Sequence, residues 1–273
     1  MTGRNPVLDF TVYPHSRIGR LPRVIRYPAL FARNLVFAAN RYFLDRFIFG
    51  YTYHSDGLAT VHYSPFVDDK AFERAYGEIL PWWHERILDV RWRMYILTRC
   101  AMQCATIPGA FTEFGVFRGG CSYMILRLAK LPETTPYYLF DTFSGIPDIG
   151  LTRREQASGL GGALQGTSSA EVAKRLGAWE AQIRVVEGDV FETLDRTETG
   201  PIAFCHMDLN ASAPTVRALD YVYSRLTPGA MIVFDDYTQL AYKDQRTAID
   251  RFFAEKAEIV VPLPTGQGFV VKL

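Results

Sequence analysis

At 273 residues, 48% of them hydrophobic, and with a net charge of +1, the chain can bury one sizeable core. Its charge balance implies neither disorder nor a polyanionic partner such as nucleic acid. No apolar run approaches the roughly 18 residues of a membrane span and the first residues lack a signal peptide's apolar core, so a cytoplasmic protein is expected. Cys100, Cys104, Cys121 and Cys205 have no paired metal-ligand spacing and read as reduced thiols, Cys100 and Cys104 one helical turn apart on a buried face.

Residues 1–67 read as a basic, aromatic extension. Arg4, Arg17, Arg20, Arg23, Arg26, Arg33, Arg41 and Arg46 face only Asp9, Asp45 and Asp56 in the first sixty residues. From Tyr27 to Phe49 arginines alternate with aromatic and aliphatic side chains. Such a run can lie on an anionic membrane surface or pack against its own domain or a second subunit. The second reading is favoured because the aromatics spread too evenly around the segment for one clean membrane face, and a homo-oligomer is expected from it. Tyr51 to Phe66, with His54 and His62, has no regular period and reads as a loop able to close over a site.

Residues 68–108 read as a helical cap. Asp68 or Asp69 caps a helix through Phe72, Tyr76, Ile79 and Leu80 that Pro81 ends or kinks. A second helix is expected from about Trp83 to Ala105, with Ile87, Val90, Met94, Leu97 and Ala101 as its apolar positions. Pro108 and Gly109 release the chain into a third region, 109–273, where strands and helices alternate. Gly109 to Met124 reads as strand, glycine turn, helix. In a parallel sheet that turn lies at the carboxyl end of a strand, where glycines let a ligand approach the backbone and a helix offers free N–H groups. The G-x-x-x-G-G spacing is not a dinucleotide fingerprint, and Glu113 before it would repel phosphate. An acid there suits a cofactor with a cationic amino group, of which S-adenosylmethionine is the common one.

A second strand, Tyr137 to Phe140, ends in Asp141, placed to accept ribose hydroxyls or to cap a turn. The glycine-rich stretch from Asp148 to Thr167 reads as a mobile lid, and Ser168 with Glu171 as a capping box opening a helix to about Ala178. The third strand, Gln182 to Glu187, leads to Asp189, an acid able to take an adenine amino group. The fourth, Ile202 to Met207, ends at Asp208 and is followed by a helix from about Pro214 to Arg225. The fifth, Ala230 to Phe234, ends at Asp235 and Asp236. Three acids at neighbouring strand ends repel one another unless a cation or shared proton relieves them, and oxygen-rich ligation suits Mg²⁺. His206 lies in the fourth strand, on the same strand face as Asp208, where a hydrogen-bonded core histidine is favoured over a ligand. A helix around Asp244 to Glu255 precedes a hairpin-like pair, Ile259 to Leu263 and Phe269 to Leu273.

Together, E-F-G-V-F-R-G-G, L-F-D-T-F-S-G-I-P, E-G-D-V-F, the acid after the fourth strand, L-T-P-G-A-M-I-V-F-D-D-Y and P-T-G-Q-G, in this order over residues 68 to 273, resemble the macrocin O-methyltransferase (TylF-like) branch of the class I methyltransferases. The resemblance implies a Rossmann-like α/β fold with a seven-stranded, mostly parallel sheet whose last strand is antiparallel. It implies S-adenosylmethionine at Glu113, Gly115, Gly119, Asp141 and Asp189, and, as in metal-dependent members, Mg²⁺ at Asp208, Asp235 and Asp236. The usual acceptors are sugar hydroxyls in antibiotic or polysaccharide assembly. Those members carry an aspartate, regarded as the base, two residues after the first metal ligand; here that residue is Asn210, and an amide cannot take a proton. Asp208, Asn210 and His206 are therefore the catalytic candidates, with His54 and His62 as further possible bases. A non-catalytic binding protein on the same fold is the alternative, and the glycine spacing argues against a nicotinamide-dependent oxidoreductase.

Overall fold

The computed structural model describes residues 50–83 and 88–273. The expectations for the run from Tyr27 to Phe49 fall outside the described residues. Among these, the chain forms two compact units, one of residues 50–65 with 88–89 and one of residues 66–83 with 90–273. The first carries an antiparallel hairpin, β1 (Tyr53–Ser55) and β2 (Leu58–Thr60). It turns through Asp56 and Gly57 at φ of 49° and 78°, the left-handed pair for which Asp-Gly is suited. The stretch expected to be an irregular loop is thus a hairpin, and its Asp-Gly dipeptide was the signal. His54 and His62 belong to this unit and are exposed.

In the second unit, α1 (Lys70–Ile79) starts where Asp69 accepts a hydrogen bond from the Phe72 amide at 3.0 Å, and it buries Phe72, Ala75, Tyr76 and Ile79 at helical spacing. The helix α2 (Arg91–Cys104) begins eight residues after the expected start at Trp83. Leu80 to Trp83 form a 3₁₀ turn, and the Val90 amide donates to the Tyr76 hydroxyl at 3.0 Å, tying the chain before α2 to α1.

The sheet contains β3 (Ala110–Phe114), β4 (Tyr137–Asp141), β5 (Ile183–Glu187), β6 (Ile202–Met207), β7 (Leu226–Phe234), β8 (Val261–Pro262) and β9 (Gly268–Val271). The order is β5-β4-β3-β6-β7-β9-β8, parallel from β5 to β7, with β9 antiparallel to both its neighbours. This is the expected seven-stranded architecture. The helices are α3 (Gly120–Ala129), α4 (Arg153–Ala157), α5 (Ser169–Arg175), α6 (Val190–Arg196), α7 (Ser212–Tyr223) and α8 (Lys243–Phe253). β7 starts four residues earlier than expected. α6 was not foreseen, and α4 interrupts the stretch read as a lid. Ser168 caps α5 through the Glu171 amide, whereas the reciprocal capping box belongs to Thr152 and Glu155 at the start of α4.

Alternation along the strands divides the sheet into two faces. Phe114, Phe140, Cys205, Met207, Ile232 and Phe234 join α6, α7 and α8 in one apolar core, with Phe114 and Phe140 stacked at 4.6 Å. The opposite face carries α2, packed on β6 and β7 and against α3. Burial pushes the thiols of Cys104 and Cys205 up to about 12, so both are inert apolar side chains. No helix among the described residues is long and apolar enough to cross a membrane.

Candidate active site

The chain turns back after β5 to lay β6 on the other side of β3, and in sheets of this kind ligands bind beside such a reversal, at the carboxyl ends of the strands. The ladders run to those ends: the amides of Gly115, Asp208, Asp235 and Gly188 donate to Phe140, Phe114, Met207 and Asp141 carbonyls at 2.8 to 3.1 Å. This regularity carries Asp141, Asp189, Asp208, Asp235 and Asp236 to one edge. A cavity of about 710 Å³, including the open space at its mouth, lies there, lined by Gly115, Asp141, Asp189, Asp208 and Asn210. Its walls are otherwise largely apolar, with Ile146, Pro147, Ile149, Leu164, Leu209 and Pro214 among them.

Gly115 has no substitute at this edge. Its φ is 86°, and a Cβ there would stand 2.1 Å from the Asp208 carbonyl oxygen. Asp141 accepts the Val116 and Phe117 amides on Oδ2 and the Phe143 amide on Oδ1, all at 2.7 Å. Phe117 and Phe143 both have left-handed φ, 50° and 51°. Asp141 therefore holds the glycine turn in a costly conformation, while a carboxylate's roughly four acceptor positions leave room for one more donor. Asp189 caps α6 by accepting the Phe191 amide at 2.9 Å.

Glu113 and Gly119, expected at the cofactor, and His206, a catalytic candidate for which the sequence favours a core role, are not among the residues lining the cavity. Gly119 starts α3 at φ 79° and packs close to Val172. Glu113 and His206 are opposite each other in the β3–β6 register and fully buried. The Glu113 carboxylate accepts from Ser122 Oγ at 2.5 Å and Tyr137 Oη at 2.8 Å, and His206 Nδ1 lies 3.3 Å from it. His206 Nε2 faces Asp235 Oδ1 at 3.7 Å. Burial disfavours the imidazolium, but the flanking Asp235 and Glu113 carboxylates outweigh it and raise the His206 pKa to about 10. The raised pKa favours the protonated imidazole. Because the folded value lies above the unfolded value of 6.5, its contribution to stability is full below about pH 6.5 and is lost as pH rises toward 10. Denaturant titrations between pH 7 and 10 should show stability falling by up to about 1.4 kcal/mol per pH unit from this group. The same slope in His206→Gln would refute the assignment.

Arg93, on α2, was not anticipated. Its Nη1 bridges Asp235 Oδ2 and Asp236 Oδ1, each at 2.7 Å, with its side chain 8% exposed. Burial would raise the Asp235 pKa, but Arg93 and then His206 override it and hold this carboxyl well below the usual range. Gln267, from P-T-G-Q-G, donates to Asp235 Oδ1 at 3.1 Å. Asp208, Asp235 and Asp236 each offer an oxygen within 4.8 Å of the others. Glu155, also unanticipated, is buried and accepts the Thr152 and Ser212 amides, both at 2.8 Å, tying the segment that walls the cavity to α7.

A family model described as macrocin-O-methyltransferase (TylF) matches residues 46–266. The chain is 29% identical over 147 residues to the 8-demethyl-8-(2,3-dimethoxy-alpha-L-rhamnosyl)-tetracenomycin-C 4'-O-methyltransferase of Streptomyces olivaceus, over 50% of this chain and 56% of that protein. It thus spans about half that relative's length. It is 27% identical over 213 residues to the mycinamicin III 3''-O-methyltransferase of Micromonospora griseorubida, over 71% of this chain and 79% of that one. Among solved structures, the O-methyltransferase NovP has a TM-score of 0.59 at 22% identity, over 66% of this chain and 79% of the other, and so shares the fold.

Proposed function

Because the chain belongs to the macrocin-O-methyltransferase (TylF) family, we propose that it is an S-adenosylmethionine-dependent O-methyltransferase acting on a hydroxyl of a sugar or sugar-bearing natural product. The observation that carries this reading is the cavity that combines the Gly115 turn with Asp141, Asp189 and Asp208 at adjoining strand ends. The named activities of the relatives support the acceptor class.

The residues present fit the cofactor. Asp141 retains capacity for a ribose hydroxyl and Asp189 for an adenine amino group. When bound, S-adenosylmethionine supplies an electrophilic methyl carbon and a sulfide leaving group. The protein's part is to align the acceptor and take its proton. Asn210 cannot take it; Asp208, on the cavity wall and 3.1 Å from Asn210 Nδ2, can. The expected result is release of S-adenosylhomocysteine from glycosides incubated with enzyme and cofactor. Cofactor binding by calorimetry with no turnover over a broad glycoside panel would leave a binding protein instead.

The donor set also fits Mg²⁺. Asp208, Asp235 and Asp236 supply oxygen alone. Mg²⁺ held there would lower the pKa of a hydroxyl it meets. We expect Mg²⁺ at a hundredfold excess over its Kd to stabilise the fold by about 2.7 kcal/mol, and Asp236→Asn to abolish the gain. Melting temperature and turnover both indifferent to chelator would remove the ion from the reading. The protein is further taken to be a cytoplasmic homo-oligomer, on its balanced charge and the aromatic run before residue 50. Light scattering at the mass of one chain would refute the oligomer.

A further inference from the structure

Leu209, Asn210 and Ala211 separate Asp208, at the end of β6, from Ser212, the first residue of α7. Asp208 is fixed on the strand side, where its amide donates to the Phe114 carbonyl at 2.8 Å. On the helix side the local sequence supplies no cap. Ala211 at the N-cap position has no side-chain acceptor, and Pro214 in the first turn has no amide hydrogen to offer one. Glu155 on α4, 57 residues earlier, takes that place. Its Oε1 accepts the Ser212 amide at 2.8 Å, and its Oε2 accepts the Thr152 amide at 2.8 Å and the Ser212 hydroxyl at 3.2 Å. Glu155 is buried, a costly position for a carboxylate unless donors surround it, and the free N–H end of a helix is where such a charge is best received.

Both partners of this contact belong to segments that reach the cavity. Leu209 and Asn210 line it from the loop before α7, and Ile149 and Leu164 line it from the segment that contains α4. Asp244, in the first turn of α8, holds the same segment by accepting from Thr152 Oγ1 and Arg154 Nη1, both at 2.6 Å. So α4 is anchored on α8 and extends one buried carboxylate to α7. We propose that Glu155 is a positioning residue for methyl transfer: through the Ser212 amide it sets the loop that carries Asp208, and so the group that meets the acceptor's proton. This rests on the methyltransferase reading and adds to it a residue that does not line the cavity. The leverage is large, because misplacing a reacting group by about 1 Å can cost about a hundredfold in rate.

The test compares the full chain with Glu155→Ala, Ser212→Pro and the double variant, using S-adenosylmethionine and a phenyl glycoside that the wild type methylates. Ser212→Pro breaks the contact from its other side. Proline suits the first position of a helix, and the extended Ala211, at φ −136° and ψ 148°, accommodates a proline after it. Each single variant should lower kcat per folded molecule by about tenfold or more. The calorimetric Kd for S-adenosylmethionine should stay at the wild-type value, since Gly115, Asp141 and Asp189 follow β3, β4 and β5 on the other side of the sheet from β7. Because both substitutions remove one contact, the double variant should be no slower than the slower single variant. Glu155→Gln, which sets an NH₂ group against one of the two amides whichever way it turns, stands in for Glu155→Ala if that variant does not fold. A lowered melting temperature with kcat per folded molecule unchanged would make the contact merely structural and overturn the proposal. Losses in kcat that multiply in the double variant, or a cofactor Kd that weakens in step with kcat, would also overturn it. In all three cases the methyltransferase reading stands. Absence of S-adenosylhomocysteine from the wild type with every glycoside overturns that reading and this proposal with it.

Discussion

Arg93→Met is expected to destabilise the protein by about 3–5 kcal/mol, because it removes the buried guanidinium that bridges the buried Asp235 and partly buried Asp236 carboxylates. For a chain of this size that corresponds to a fall in melting temperature of roughly 10 °C. The loss should grow as the carboxyls ionise, and excess Mg²⁺ should recover part of it if the three aspartates bind the ion. The control is the variant that also carries Asp235→Asn and Asp236→Asn. Removing the charges with their partner should cost less than removing the partner alone, since unpaired buried charge is the main penalty. Wild-type melting in Arg93→Met would mean that the guanidinium contributes nothing net to the acidic edge.

Gly115→Ala is expected to cost at least about 3 kcal/mol, from a left-handed φ that alanine disfavours and from overpacking against backbone. The obstructing atoms are the carbonyl oxygen and carbon of Asp208, 2.1 and 2.8 Å from the added Cβ. Neither belongs to a flexible side chain, so the strand ends must separate. Calorimetry should therefore show cofactor affinity lost together with stability, even though alanine removes no hydrogen-bonding group. An alanine variant that melts within a degree of wild type and binds the cofactor normally would overturn this account of the β3–β6 contact.

Much of the frame can be read locally. Alternating or continuous apolar runs marked β3 to β7, and Asp69 marked the start of α1, because burial pattern and capping depend on residues within one turn or strand of each other. Asp141, Asp208 and Asp235 were legible for the same reason, each being the first charged residue after an apolar run. The sequence also carried two signals that were passed over. Asp56-Gly57 marks the β1–β2 turn. Arg93 lies on the stripe of Val90, Met94, Leu97 and Ala101, and a charged residue on a buried stripe requires a partner.

Which partner it has was not legible. Arg93 and Asp235 are 142 residues apart and Glu113 and His206 are 93 apart, and no local pattern specifies a register or a helix docking over such distances. Glu113 before the glycines read as a cofactor contact because its charge suits an ammonium group. The β3–β6 register instead sets it against His206, and Tyr137 and Ser122 complete its hydrogen bonds. The sequence by itself determined the order of the elements, the glycine turn and the acidic strand ends, all products of near-neighbour chemistry. Only the tertiary structure decided that Glu113 and His206 are buried against each other and that Arg93 bridges two of the acids. Each of those outcomes depends on which side chains the packed sheet and α2 bring within hydrogen-bond reach, and burial then forces every charge among them to find a counter-charge.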